Sequence, residues 1–85
     1  MDKNVILIYQ KSRENTAVKV QEVLTGFGCF IKTRLGIHDS ESNCSPRGLI
    51  ILEMAGDKDQ AANCKAKLEE INDVTVELVT MKLPE

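Results

Sequence analysis

Eighty-five residues, 42% of them apolar and 28% charged, make one small domain over residues 1–85, with too little chain for a second core. The formal net charge is −2, and the 11 Lys and Arg are scattered along the chain. That argues against a nucleic-acid module, which needs a basic stripe to neutralise phosphates. The longest N-terminal apolar run, Val5 to Tyr9, is too short for a membrane span or a signal peptide, so a cytoplasmic chain is expected. Cys29, Cys44 and Cys64 are odd in number and far apart, which fits free thiols in a reducing compartment rather than a disulfide framework.

Taken in chain order, Asn4 to Gln10 (NVILIYQ) is β-branched, apolar and too short for a helix, and predicts a strand buried on both faces. The period then changes. Ala17, Val20, Val23, Leu24 and Phe27 recur at helical spacing, Ser12 or Asn15 is available as N-cap, and Gly26 stands where a glycine would end the helix, near residues 14 to 26. Cys29 to Gly36 alternates, with Cys29, Ile31, Thr33 and Leu35 on one side and Phe30, Lys32 and Arg34 on the other. Gly48 to Met54 (GLIILEM) is the next strand. The residues between are too few for a crossover helix, so these two strands predict an antiparallel hairpin. A second helix, near residues 58 to 71, opens on Asp57 or Asp59. It carries Ala61, Cys64, Leu68 and Ile71 as its apolar stripe, with Ala66 more weakly, and Asn72 is placed to stop it. Val74 to Lys82 alternates as the last strand.

The order β-α-β-β-α-β predicts an α+β, ferredoxin-like fold: a four-stranded antiparallel sheet with both helices on one face. The other face should then be polar in a monomer. It is not. The first strand offers Val5, Leu7 and Tyr9 to one side and Ile6 and Ile8 to the other. If Ile50, Leu52 and Met54 face the helices, then Leu49 and Ile51 face away, and Val79 and Met81 join them from the last strand. Adjacent apolar residues on one sheet face mark an interface, so Leu49, Ile51, Val79 and Met81 are its expected members, and a homo-oligomer, dimer or tetramer, is expected.

Cys29, His38 and Cys44 are the metal-ligating candidates, but eight and five residues intervene between them, unlike the short paired spacing of zinc sites. No metal or cofactor is expected. His38 beside Cys44 or Ser40 lacks an evident orienting partner and oxyanion hole, so no catalytic residue is expected. The segment GIHDSESNCSPRG, rich in Gly, Ser, Asn, Asp and Pro, is expected to be a long mobile hairpin loop. Acylphosphatases share this order of elements, but YQKSRENTAV has no glycine to let backbone amides converge on a phosphate.

The stretches RENTAVKVQEVLTGFGCFIKTRLGI and GLIILEMAGDKDQAANCKAKLEEINDVTVELV resemble the iron-only hydrogenase system regulators, a family of small ACT-like proteins similar in fold to the C-terminal domain of nickel-responsive regulators. The shared features are the Glu14–Asn15 pair entering the first helix, Gly26 and Gly28, RLGI at Arg34 to Ile37, and Leu68, Ile71 and Val74. The resemblance implies a regulatory role and supplies no catalytic residue. The square-planar site of the nickel regulators needs several imidazoles, and this chain has one His. ACT domains often bind amino acids near the first strand-to-helix turn. Lys11, Ser12, Arg13 and Asn15 are placed to hold a carboxylate there, with Arg34 as a further candidate. The expectation is a non-enzymatic, ligand-sensing or interaction domain with a small-molecule effector or a regulatory protein partner. Two alternatives are a protein–protein adaptor without a small ligand, and a metal or thiol redox sensor using Cys44 and His38.

Overall fold

The computed structural model describes residues 2–38 and 47–84, with the backbone alone at His38. The elements are β1 (Asp2–Gln10), α1 (Arg13–Gly26), a short 3-10 turn (Gly28–Phe30), β2 (Ile31–His38), β3 (Gly48–Met54), α2 (Lys58–Glu69) and β4 (Val74–Lys82). The strands lie in the order β2-β3-β1-β4 and every neighbouring pair is antiparallel. This is the ferredoxin-like arrangement that the two changes of period predict.

Period-2 alternation sets which side of each strand is buried. Ile6, Ile8, Ile50, Leu52, Met54 and Val76 point to the helix side, where they meet Val20 and Leu24 of α1 and Ala61, Cys64 and Leu68 of α2, with Ile71 just beyond it. Ile6, Ile8, Leu52, Cys64 and Leu68 are fully buried. Asp57 caps α2, its carboxylate accepting from the Gln60 N–H at 3.0 Å. Gly56, just before it, has φ 82, a backbone conformation glycine adopts without steric cost. The turn into β4 passes through Asp73 at φ 64, whose carbonyl accepts from the Lys11 N–H at 3.0 Å.

Several details differ from the sequence expectation. The buried stripe of α1 is Thr16, Val20 and Leu24, with Val23 and Phe27 half-buried, while Ala17 is exposed. Thr16 can face inward because its hydroxyl is satisfied: it donates to the Ser12 carbonyl at 2.8 Å and accepts from Gln10 Nε2 at 3.1 Å. Ser12 occupies the N-cap position without a side-chain cap bond, Gly26 is still helical, and α2 stops at Glu69, short of Asn72. The strand expected from Cys29 begins at Ile31 and runs past Gly36 to His38, whose backbone pairs with Gly48. Cys29 therefore sits exposed in the 3-10 turn and is not a core residue. A bulge at Lys32 breaks the expected alternation. Ile31 pairs with Met54 on the helix side, but Thr33 pairs with Glu53, so Thr33 and Leu35 face the opposite side from Ile31. Of the expected loop, residues 36–38 belong to β2 and Gly48 to β3, while residues 39–46 lie outside the described residues.

The difference between core and surface sets a stability prediction. Leu68→Ala empties a fully buried position and should cost about 2–5 kcal/mol in urea unfolding, whereas Val18→Ala, at a position 70% exposed, should change stability by less than about 0.5 kcal/mol. Equal losses from the two would contradict this packing.

Candidate functional site

The helix-free side of the sheet is built from cross-strand rows. Ile37, Leu49, Tyr9 and Thr75 form one row, Leu35, Ile51, Leu7 and Glu77 the next, and Thr33, Glu53, Val5 and Val79 a third, with Lys3 and Met81 paired beyond it. The four interface residues expected from sequence, Leu49, Ile51, Val79 and Met81, all lie on this side. Val79 and Met81 are 44% and 52% exposed, and Leu35 and Ile37 on the edge strand are 53% and 42% exposed. Apolar residues form a path from β2 to β4 through Leu35, Ile51, Leu7, Val5 and Val79, with Glu53, Thr75 and Glu77 beside it. Leu35 and Ile37 were not expected here. The bulge at Lys32 delivers them to this side, and no sequence period announces it.

Glu53 is the acid at the centre of the third row. Lys3 Nζ donates to its carboxylate, Lys32 Nζ lies at 3.9 Å, and Thr33 Oγ1 is at 3.5 Å. The hydrogen bond and the charge of Lys3 hold the Glu53 carboxyl below its ordinary value of 4.5, with smaller help from Lys32. The charge is thus balanced within the face by its own neighbours.

The helix side carries a second feature. α1 packs against α2 and leaves the helix side of β2 bare, so Arg34 and Gly36 are exposed even though they point toward the helix layer. A groove of about 630 Å³ runs between α1 and β2, lined by Ala17, Val18, Val20 and Gln21 on one side and Arg34 on the other. Gln10, Glu22 and Thr25 complete the lining. Arg34 Nη1 donates to Gln21 Oε1 at 2.6 Å, and Gln21 Nε2 donates to Thr25 Oγ1 at 3.3 Å. Next to it, over Gly36 and Gly48, lies a smaller hollow of about 180 Å³ that shares Gln10 and also touches Arg13. At Gly48 a Cβ would stand 2.8 Å from Arg13 Cδ, so a larger residue would make the Arg13 side chain shift.

The remaining sequence candidates are divided among several places. Ser12 and Asn15 stay together, Asn15 Nδ2 donating to Ser12 Oγ at 3.2 Å. Lys11 is exposed, its backbone held by Asp73. Arg13 lays its stem over Gly48. Arg34 stands apart from the first turn of α1, in the groove with Gln21 and Thr25. Among the described residues no group of three or more His, Cys, Asp or Glu could hold a metal ion. The His38 side chain and Cys44 lie outside the described residues. Cys64 is fully buried, and burial pushes its thiol up to about 11, which makes it a poor nucleophile and a poor ligand. Among the described residues no helix is long and apolar enough to cross a membrane.

No protein-family model matches the sequence, and no curated protein matches it either. Among solved structures, the chain is similar to uncharacterized protein TM1266 from Thermotoga maritima, with 25% identity over 96% of this chain and 100% of that one, and a TM-score of 0.82. The two share the four-stranded antiparallel sheet with its two helices.

Two measurements check the site chemistry. A carboxyl with a depressed folded value stabilises the fold above its unfolded value and loses that contribution as pH falls through the folded one. Carbonyl-detected NMR titration should place Glu53 below 4.5 and move it upward in Lys3→Gln, with less stability then lost on acidification. An unmoved Glu53 would rule out Lys3 as the cause. In peptide-resolved iodoacetamide labelling at pH 8, Cys29 should react in the native protein and Cys64 only after unfolding; native labelling of Cys64 would contradict its burial.

Proposed function

We propose that the chain is a non-enzymatic regulatory module of ACT-like fold that works as a homo-oligomer, each copy using its helix-free sheet face. The observation that carries this reading is the contiguous apolar surface running from Leu35 and Ile37, through Ile51 and Leu7, to Val79 and Met81. A monomer would leave Leu35, Ile37, Val79 and Met81 in water, and neighbouring exposed apolar residues on one sheet face mark interaction sites. A second copy is the occupant that fits best. A two-fold axis brings the same patch against itself, and Glu53 already has its counter-charges in Lys3 and Lys32. The resemblance to the iron-only hydrogenase system regulators supports a regulatory role, and free thiols at Cys29 and Cys64 are in keeping with the reducing cytoplasm as its setting.

Light scattering on a sizing column at micromolar concentration should give a multiple of the 9.5 kDa protomer mass. The double variant Leu35→Asp, Val79→Asp should weaken association by roughly a hundredfold or more, because each charge would be desolvated without a partner. Both positions are exposed in the protomer, so the variant should keep the wild-type circular dichroism. A monomeric wild type would refute self-association. A monomer that gains mass only when mixed with a different protein would point to the adaptor reading instead.

A further inference from the structure

We propose that two copies meet on the helix-free face in one set register, chosen by a reciprocal ion pair between Glu77 of each copy and the partner's Lys32. The proposal rests on the reading of that face as the self-association surface, and it names the residues that select the partner and its orientation.

Three observations carry it. The charges of the face do not cancel where they stand. Glu53 is one carboxylate between two ammonium groups, Lys3 and Lys32, so its end of the face keeps a surplus positive charge. Asp2, close by in sequence, belongs to the helix side, across from Lys82. Lys3 donates the hydrogen bond to Glu53, whereas Lys32 stands at 3.9 Å with its side chain 56% exposed, so Lys32 is the cation left over.

The compensating negative charge is on the same face but out of reach. Glu77 is exposed on β4, two strands and one row away from Glu53, with Leu7 as its cross-strand neighbour. Among the described residues no ion pair includes it.

The two charges also stand at opposite corners of the apolar path. Lys32 is on one edge strand, just beyond the row of Thr33 and Glu53, and Glu77 is on the other edge strand, in the row of Ile51 and Leu7. The point midway between them falls among Ile51, Leu7, Glu53 and Val5, in the middle of the face. A two-fold axis lying in the contact plane through that point, across the Glu77–Lys32 diagonal, exchanges the two corners, so the same ion pair forms twice. Apolar contact is non-directional and rewards many orientations. The corner charges distinguish one of them, because other orientations set Lys32 or Glu77 against apolar residues with no counter-charge.

The test uses sedimentation velocity on the full chain at low ionic strength, with Glu77→Lys and Lys32→Glu made separately. Each variant alone sets like charges together at both contacts and should associate roughly tenfold or more weakly than wild type. Mixed in equal amounts, the two variants should associate with each other at near wild-type affinity, since both contacts then join opposite charges. Mixing cannot repair a fault inside one chain. The defect of each single variant should shrink in about 0.5 M salt. Both positions are exposed, and wild-type circular dichroism will show that the variants are folded. The neutral variants Glu77→Gln and Lys32→Gln complete a double-mutant cycle, in which the two losses of affinity should not add. An associating wild type whose charge-reversed variants associate equally well, a mixture no tighter than its components, or additive losses in the neutral cycle would each overturn the ion pair and leave the self-association reading standing. A monomeric wild type would overturn both.

Discussion

Two helices can cover only one side of a four-stranded sheet, and this chain has apolar residues for both sides. β1 shows the constraint most directly. It lies in the middle of the sheet, between β3 and β4, with Ile6 and Ile8 in the core and Val5, Leu7 and Tyr9 on the opposite side. Burying the first set drives the fold of the protomer. Folding leaves the second set half-buried, and the hydrophobic effect still acts on the part that stays in water. What the sheet does with that second side is therefore settled by what it meets.

The ends of β1 are handled differently from its middle. On the helix side Asn4 and Gln10 are buried polar residues, and each has a partner: Asn4 Oδ1 accepts from Thr80 Oγ1 at 2.7 Å, and Gln10 donates to Thr16. The Gln10–Thr16–Ser12 chain ties the first turn of α1 to the end of the strand it has just left. From that anchor α1 settles against α2, and β2 keeps an uncovered inner side. The groove follows from how the helix is moored, since neither wall is unusual by itself.

Much of this was legible in the sequence. The order of elements, the stripe of α2, the Asp57 cap and the identity of the apolar sheet face all follow from period and turn chemistry acting locally. The parts that were not legible depend on single partners distant in sequence. Ala17 and Thr16 differ as core candidates only through the hydroxyl's bonds to Ser12 and Gln10, and a polarity pattern cannot show those bonds. Arg34 was a ligand-binding candidate alongside Lys11, Ser12, Arg13 and Asn15, but β2 holds it apart from the first turn of α1, beside Gln21. The groove has no sequence signal because it is space that α1 leaves uncovered, and only the packing of α1 on α2 decides where that space lies.

The bulge in β2 has a consequence for how this strand tolerates change. Ile31 and Thr33 occupy consecutive rungs against Met54 and Glu53, so Lys32 is the one residue of the strand without a rung of its own. Losing Lys32 would straighten the local twist and remove one counter-charge from Glu53, yet every residue from Thr33 to His38 would keep its partner and its side of the sheet. Loss of a residue from Arg34 to Ile37 would instead turn over part of the strand. Length variation among homologues of this chain should therefore collect at Lys32 and Thr33 and be purged from the four positions after them.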